Sequence, residues 1–193
     1  ISACLVGSEM CIRDSFIDTQ ITGRTQRGIT IYQYVNLNNV SIDGFELEVQ
    51  ALLSDNYSLY LGYSNSDGEQ NGEKLISIDP DQTIFGLNWS SDNGKFNIRG
   101  FANIVEESID GFDPICGRSG CNTLVETPGR VTFDLFFNAN LGDNIDLNLA
   151  VRNLTNEKYY DWASINGKTV NDPELDLYSN SGRTFSASIK YIF

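Results

Sequence analysis

The feature that most constrains the fold is a strict alternation of apolar and polar side chains along the chain. Between Arg130 and Leu141, every second residue is apolar. These apolar residues are Val131, Phe133, Leu135, Phe137, Ala139 and Leu141. Because successive side chains of a β-strand point to opposite faces, the pattern predicts a strand with one apolar and one mostly polar face.

The same alternation recurs in several other segments. It is found at residues 45–53, 57–63, 85–89, 96–104, 145–151 and 185–193, where Ile192 is the exception. We expect about seven strands, with residues 29–53 forming either one bent strand or two. No stretch approaches the roughly 18 consecutive apolar residues of a membrane helix.

The predicted connections alternate between tight and long. The tight ones, 54–56, 91–94 and 142–144, consist mostly of Ser, Asp, Asn and Gly, and Asn, Asp and Gly tolerate the positive φ of short hairpins. The long ones are residues 66–82, 106–129 and 161–182. Short turns on one side and long loops on the other are typical of outer-membrane barrels, so an antiparallel transmembrane β-barrel is predicted.

Composition excludes several classes of function. The net charge is −13, from 26 acidic and 13 basic residues, whereas a nucleic-acid-binding surface must be basic. The chain contains no His, which removes the commonest general base and metal ligand. Paired carboxylates such as Glu106 and Glu107 fall in predicted loops, where solvated charge is expected. No enzymatic activity is predicted.

Residues 1–15 lack the basic region and cleavage site of a signal peptide. Glu9–Ser15 (EMCIRDS) reads as a translation of the transposon-end adapter used to prepare sequencing libraries. We therefore expect residues 1–15 to derive from an adapter and residues 16–193 to begin within a protein; a natural N-terminal strand or tail is the alternative. Seven strands are too few to close a barrel, so further strands are expected upstream.

Four segments resemble a known family. Asn153–Trp162 (NLTNEKYYDW) resembles the NLTDKKYxxW segment of TonB-dependent receptors, and Gly182–Phe193 resembles their closing strand, GRTFSxSxxYxF. Ile42–Glu48 resembles the IxGxExE strand of these receptors. Leu75–Pro80, followed by Phe85–Leu87, resembles the branch that takes up haem, haemoglobin or transferrin iron.

The resemblance covers about residues 29–193 and implies both an architecture and a function. The chain would supply the C-terminal seven or eight strands of a plugged 22-stranded barrel in the outer membrane of a Gram-negative bacterium. The receptor would import haem or haemoprotein-derived iron as a transported ligand, with a siderophore as the alternative ligand. The TonB complex would act through an N-terminal portion, and outer-membrane lipid and lipopolysaccharide would surround the barrel.

The resemblance also assigns roles to aromatic residues. In the closing strand, Phe185, Ile189, Tyr191 and Phe193 share one face with Ala187, as in the ending that the barrel-assembly machinery is thought to read. Tyr159, Tyr160 and Trp162 cluster at the outer end of a strand, where amphipathic rings favour the headgroup level. An interfacial girdle is therefore predicted for these three, with stacking on a ligand as the alternative.

Cys116 and Cys121 lie in a long loop that the barrel topology places outside the cell. The cell surface is oxidising, so a disulfide that closes this short segment is predicted. A metal site would need two further ligands in a chain without His. A pair of free thiols is the other alternative.

Three other classes of protein are less consistent with the pattern. A passive outer-membrane barrel would have no plug upstream. An outer-membrane lipase or protease would need a His-containing catalytic constellation. A secreted β-sandwich adhesin would have polar outward faces, whereas here apolar faces alternate with the Asn, Asp, Ser and Thr that suit a watery lumen.

Overall fold

The computed structural model describes residues 2–6, 17–24, 30–36, 40–75, 78–108, 115–117, 120–123, 125–142, 144–165 and 168–193. Almost all regular structure is β-strand. The strands are β1 Ser2–Val6, β2 Ile17–Arg24, β3 Thr30–Asn36, β4 Val40–Leu52, β5 Tyr57–Gln70, β6 Glu73–Lys74, β7 Gln82–Ser90, β8 Phe96–Val105, β9 Ile115–Gly117, β10 Gly120–Asn122, β11 Arg130–Asn140, β12 Ile145–Arg152 and β13 Thr184–Tyr191. One short helix, α1, spans Trp162–Ile165, and a single 3₁₀ turn spans Leu175–Tyr178.

From β4 to β13 the main sheet is an antiparallel meander, with the separate β9–β10 hairpin lying in the connection between β8 and β11. Its order is β1-β4-β5-β7-β8-β11-β12-β13, with β6 paired to β5. The sheet is open, with β1 and β13 at its edges, and the predicted all-β barrel architecture is confirmed. Residues 29–53 contain two strands, and β3 pairs with β2 in a separate hairpin.

The registers carry the alternating pattern across the sheet. Val49, Leu61, Phe85, Ala102 and Phe133 are paired in sequence along one row through five strands. Phe85 remains 45% exposed and Phe133 42% exposed, because the row lies on an uncovered apolar face. The opposite face, called the polar face below, carries Ser, Asn, Asp and Arg. A sheet with one uncovered apolar face and one polar face is the wall of a membrane barrel.

The long connections differ from the sequence-based prediction in one respect. Residues 66–70 were predicted as loop, but they continue β5 and pair with β4 as far as Val40. Their side chains are mostly polar, so the hydrophobic alternation ends, yet the backbone ladder does not depend on side-chain hydrophobicity and continues beyond it. The tight turns after β4, β7 and β11 lie where predicted.

Buried apolar side chains in the described part of the chain lie mainly near the ends of the strands that bear the long loops. They are Leu75, Val105, Val125, Trp162 and Ile165, together with Ala139 at the opposite end. In the described residues, no helix has both the length and the apolar character needed to cross a membrane. The packed core is therefore formed by the loops, and the sheet itself buries little.

Candidate functional site: the loop cap and the polar face

The NLTN segment directly after β12 forms two linked turns. Asn153 is 5% exposed and has a φ of 52°, a left-handed conformation that Asn tolerates better than most residues. Its Oδ1 accepts a hydrogen bond from the Glu157 N–H at 2.9 Å, and its Nδ2 donates to the Glu157 carbonyl at 2.8 Å. The Asn153 N–H donates to Asp134 Oδ1 at 2.8 Å, which fixes the turn to β11.

A second Asn joins this turn to the start of the closing strand. Asn156, with a φ of 59°, accepts a hydrogen bond at Oδ1 from the Arg183 N–H at 2.9 Å. A Cβ at Gly182 would lie 2.6 Å from the same oxygen, so Gly182 leaves space for this contact. Two motifs that are about 30 residues apart in the sequence are therefore in direct contact.

Arg130, at the loop end of β11, organises the loop that follows β12. Its guanidinium forms a 2.7 Å ion pair with Asp161, donates to the Tyr160 carbonyl at 3.1 Å, and lies 4.3 Å from the centre of the Tyr159 ring. Asn180 donates to the other Asp161 oxygen through Nδ2 and to the Tyr159 carbonyl through its N–H. One arginine therefore joins the two ends of the loop to the barrel wall.

The described parts of the loops after β8 and β12, within residues 106–129 and 153–183, contact each other and are called the loop cap below. The Val125 N–H donates to the Lys168 carbonyl at 2.9 Å, and the Val170 N–H donates to the Thr123 carbonyl at 3.0 Å. Ile165 is fully buried in the loop cap, and Trp162 is 4% exposed. Because hydrogen bonds and apolar burial connect the two loops, they form one structural unit.

Several titratable groups of the loop cap have shifted pKa values, among them Lys158, Tyr159 and Asp176. The Lys158 ammonium, 2.7 Å from Asp176, lowers the pKa of that carboxyl, and Asp176 raises the pKa of Lys158. Burial, followed by the charge of Asp161, raises the pKa of Tyr159. Since the pKa of Asp176 is lower in the folded chain, this contact stabilises the loop above the ordinary carboxyl pKa and is lost as the pH falls through the lowered value.

Replacing Arg130 by Met should loosen the loop cap. The substitution keeps most of the side-chain volume but removes the ion pair and the carbonyl contact. Arg130 is 13% exposed but Asp161 is 48% exposed, so solvent screening reduces the expected loss of local stability to about 1–3 kcal/mol. Faster hydrogen exchange at the Asn180 N–H, and greater quenching of Trp162 fluorescence, would measure it.

Lys158→Met is the matched control. The Lys158–Asp176 pair has the same 2.7 Å separation, but its side chains are 63% and 81% exposed, so its removal should change exchange at Asn180 little. Equal effects of the two substitutions would contradict the role assigned to Arg130.

The polar face carries a ladder of amide and hydroxyl groups. Asn88 donates to Ser58 at 3.2 Å, and Asn97 donates to Asn88 at 2.5 Å. Further along, Asn138 donates to Asn148, which donates to Ser188 at 3.3 Å. These contacts cross the sheet from β5 to β13, and they satisfy polar groups on a surface that a barrel turns toward its aqueous lumen.

Aromatic rings and arginines form a second feature of the polar face. Phe101 and Phe136 meet edge to face, with ring centres 5.9 Å apart. The guanidinium carbons of Arg99 and Arg152 lie 5.7 Å and 5.9 Å from the centre of the Phe136 ring. Tyr60 lies on the same face, two strands from Phe101, across Gly86. This group of five residues is called the cation–aromatic cluster below.

The structure places the site residues predicted from the sequence in three different environments. On the edge strand β13, Phe185, Ile189 and Tyr191 are exposed at 73%, 72% and 52%, and Phe193, just after the strand, is exposed at 106%. Tyr159 and Tyr160 are half-buried around Arg130, whereas Trp162 is buried by the loop cap. Cys116 and Cys121 occupy directly opposed backbone positions in the β9–β10 hairpin. In the described residues, no three His, Cys, Asp or Glu side chains converge as metal ligands.

Sequence reasoning did not find the parts played by Arg130, Asn153 or the cation–aromatic cluster. Arg130 and the cation–aromatic cluster depend on partners far away in the sequence, and the Asn153 turn depends on a backbone conformation that the alternating pattern does not indicate. The one available signal was that the NLTN and GR motifs both resemble the same family, which is consistent with their contact.

The fold and the two faces define the class: a wall segment of an outer-membrane β-barrel whose long loops lie at one end. The family model described as "TonB dependent receptor-like, beta-barrel" matches residues 13–154. The chain belongs to this family of TonB-dependent receptors. They are outer-membrane receptors and transporters of Gram-negative bacteria and are not enzymes.

Individual relatives cover most of this chain. The hemoglobin and hemoglobin-haptoglobin-binding protein A of Haemophilus influenzae is 27% identical over 145 residues, which are 69% of this chain and 14% of that protein. The copper transporter OprC has a TM-score of 0.70 at 20% identity, covering 93% of this chain and 27% of its own. The pyoverdine receptor FpvA of Pseudomonas aeruginosa PAO1 has a TM-score of 0.64 at 16% identity, covering 93% and 25%. At these identities the solved structures establish the fold alone.

Proposed function

We propose that residues 16–193 form the C-terminal part of a TonB-dependent receptor barrel that imports haem or haemoprotein-derived iron. The observation that supports haem as the ligand is the 27% identity to a haemoglobin- and haemoglobin-haptoglobin-binding protein. The resemblance of Leu75–Pro80 to the haem branch supports the same ligand. An iron siderophore is the second candidate, because the fold is also similar to that of a pyoverdine receptor.

The proposal gives each surface of the chain a task. The apolar face lies against lipid and lipopolysaccharide, the polar face lines the lumen, and the loop cap faces the medium where a haemoprotein or chelate is captured. The TonB complex supplies energy through an N-terminal portion. The loop cap suits capture, because its two loops are joined and can present one surface.

Growth of a haem-auxotrophic strain tests the proposal. A host that cannot make haem and has no haem receptor of its own would express the complete receptor. We expect growth on haem or haemoglobin with an intact TonB complex and no growth without one. Growth on ferric pyoverdine as iron source, without growth on haem, would favour the siderophore. Growth on haem that does not need TonB would contradict the receptor mechanism and indicate a passive barrel.

We also propose that the exposed aromatic face of β13 directs assembly of the barrel. Removing Phe193 deletes the terminal ring that stacks edge to face on Tyr191, with ring centres 4.9 Å apart. The amount of heat-modifiable, folded receptor in the outer membrane should fall severalfold. Phe193→Tyr keeps an aromatic ending and should assemble normally. Normal assembly of the deletion variant would refute this role.

We propose that Cys116 and Cys121 form a disulfide. Opposed residues of an antiparallel pair have Cα atoms about 4.5–5.5 Å apart, within the span of about 4.4–6.8 Å that a disulfide bridges. In the complete receptor, peptide mapping should find neither Cys116 nor Cys121 labelled by a maleimide until a reductant is added. Two reactive thiols before reduction would contradict the disulfide.

We propose a membrane-interface role for Tyr159 and Tyr160, with Trp162 as the buried residue that holds the same segment in place.

We propose too that residues 1–15 derive from a sequencing adapter. In the structure β1 pairs with β4, on the edge where the order of the meander would place β3. Resequencing the source DNA across codon 16 tests this: a reading frame that continues upstream into further strands supports it, and an initiator directly before residue 1 refutes it.

A further inference from the structure

We infer that the cation–aromatic cluster on the polar face is a binding subsite for a planar aromatic ligand that carries carboxylates. The inference rests on the proposed function, in which haem, a planar ring with two propionates, is the cargo. The subsite lies on the wall of the barrel, in the middle of the strands, and not in the loop cap.

The cluster is held by the register of the sheet. Arg99 of β8 is directly opposite Phe136 of β11, and Phe101 is two residues further along β8. Arg152, at the end of β12, also reaches the Phe136 ring, so both guanidiniums lie within 6 Å of one ring centre. Two positive charges on one ring repel each other, and a carboxylate between them would relieve that repulsion.

Asp134, on the polar face of β11, accepts hydrogen bonds from other groups. Asp134 Oδ1 accepts the Asn153 N–H at 2.8 Å, and Oδ2 accepts from Asn103 Nδ2 at 3.5 Å. Arg99 donates to the neutral amide oxygen of Asn138 at 3.3 Å.

Where side chains are described, Arg130, Lys158 and Lys168 pair with carboxylates, whereas neither Arg99 nor Arg152 lies within ion-pair distance of a described one. Acidic residues outnumber basic ones by 26 to 13 in this protein, so two adjacent, exposed arginines with neutral partners are not explained by a shortage of carboxylates. The counter-ion they fit is supplied by a ligand.

The aromatic rings decide which kind of anion fits. Gly86 is paired in register with both Tyr60 and Phe101, and a Cβ there would lie 2.7 Å from the Phe101 ring. The absence of a side chain at Gly86 therefore lets Phe101 lie across β7 toward Tyr60.

The half-buried rings offer an apolar surface beside the two charges. A planar ligand with carboxylates uses both, through stacking and through charge-assisted hydrogen bonds to the guanidinium forks. An acidic protein segment would use the charges alone, so the rings favour the planar ligand.

The test compares haem with haem dimethyl ester, in which both propionates are masked, by equilibrium binding to the purified complete receptor. We expect the wild type to bind haem at least about tenfold more tightly than the ester, since charge-assisted hydrogen bonds contribute at this level. The double variant R99Q/R152Q should bind both probes alike, at the affinity of the ester for the wild type. R99K/R152K, which keeps the charge and loses the planar fork, should fall between them.

Lys95→Gln is the control, because it removes a cation from the tight turn between β7 and β8 and leaves the rings untouched. Heat-modifiability confirms that each variant is folded.

Two outcomes would overturn the subsite. One is an unchanged preference for haem in R99Q/R152Q, or no preference in the wild type. The other is an equal loss of affinity for haem and its dimethyl ester in R99Q/R152Q, together with a lower unfolding temperature of that variant. This result would mean that the arginines hold a protein segment.

Growth of the haem auxotroph is a separate measurement. Growth on haem with no effect of R99Q/R152Q on binding leaves the proposed function intact and refutes the subsite. A haem preference that R99Q/R152Q abolishes, without TonB-dependent growth, supports the subsite and refutes the function.

Discussion

Asn153→Ala is expected to destabilise the barrel by about 2–4 kcal/mol, because two side-chain hydrogen bonds disappear and Ala is strained in the left-handed region. The bonds to the Glu157 N–H and carbonyl both depend on the Asn153 amide. Asn153 is also nearly fully buried, so its truncation removes packed side-chain atoms as well as the two bonds. Urea unfolding of the purified receptor, followed by tryptophan fluorescence, would measure the loss.

Asn153→Gly separates the two contributions. Gly adopts a positive φ without strain but provides no amide, so it should recover about 1 kcal/mol of the loss seen with Ala. If Ala and Gly are equally destabilising, the strain argument is wrong. If neither lowers the urea midpoint, the Asn153 turn does not stabilise the barrel.

Gly44→Val should be the most damaging substitution within the strands. A Cβ at Gly44 would lie 2.9 Å from the backbone carbonyl oxygen of Asn65 on the neighbouring strand. This oxygen belongs to the β4–β5 ladder and cannot rotate away as a side chain can. Strand separation at this point should cost about 1–3 kcal/mol, as overpacking usually does. The yield of folded receptor and its unfolding temperature should both fall.

Gly100→Val is the matched control for this prediction. Gly100 is also inside a strand, but a Cβ there would meet nothing within 4 Å. It lies on the same apolar face of β8 as Phe96 and Ile98. Val at this position adds apolar surface on the lipid side and should be tolerated. A Gly44→Val barrel as stable as Gly100→Val would show that the sheet adjusts to the contact.

Strand β11 illustrates how much a local pattern can predict. Every second residue from Val131 to Ala139 lies on the apolar face of the sheet, as the alternation predicts, and the residues between them lie on the polar face. The tight turns were equally readable, because Asn, Asp and Gly mark positions where the backbone must reverse within a few residues. The family also followed from the sequence, through the NLTN segment and the closing strand.

The long connections illustrate what local reasoning misses. Residues 66–70 pair with β4 although their side chains carry no apolar alternation. The sequence predicts Trp162 at the membrane interface because of its neighbours Tyr159 and Tyr160, yet the packing of one loop on another buries the Trp162 side chain. The position of the two tyrosines at the headgroup level stays a prediction.

The sequence by itself determined the main-sheet strands that carry the apolar alternation, their two faces, the positions of the tight turns and the family, since each depends on residues close together in the chain. The tertiary structure alone decided the bond from the Asn153 N–H to Asp134, the Asn156 contact, the Arg130 interactions and the grouping of Arg99, Arg152 and Phe136. These contacts join residues that lie far apart in the sequence. Their geometry is set by the register of the sheet and the path of the loops, which no local periodicity encodes.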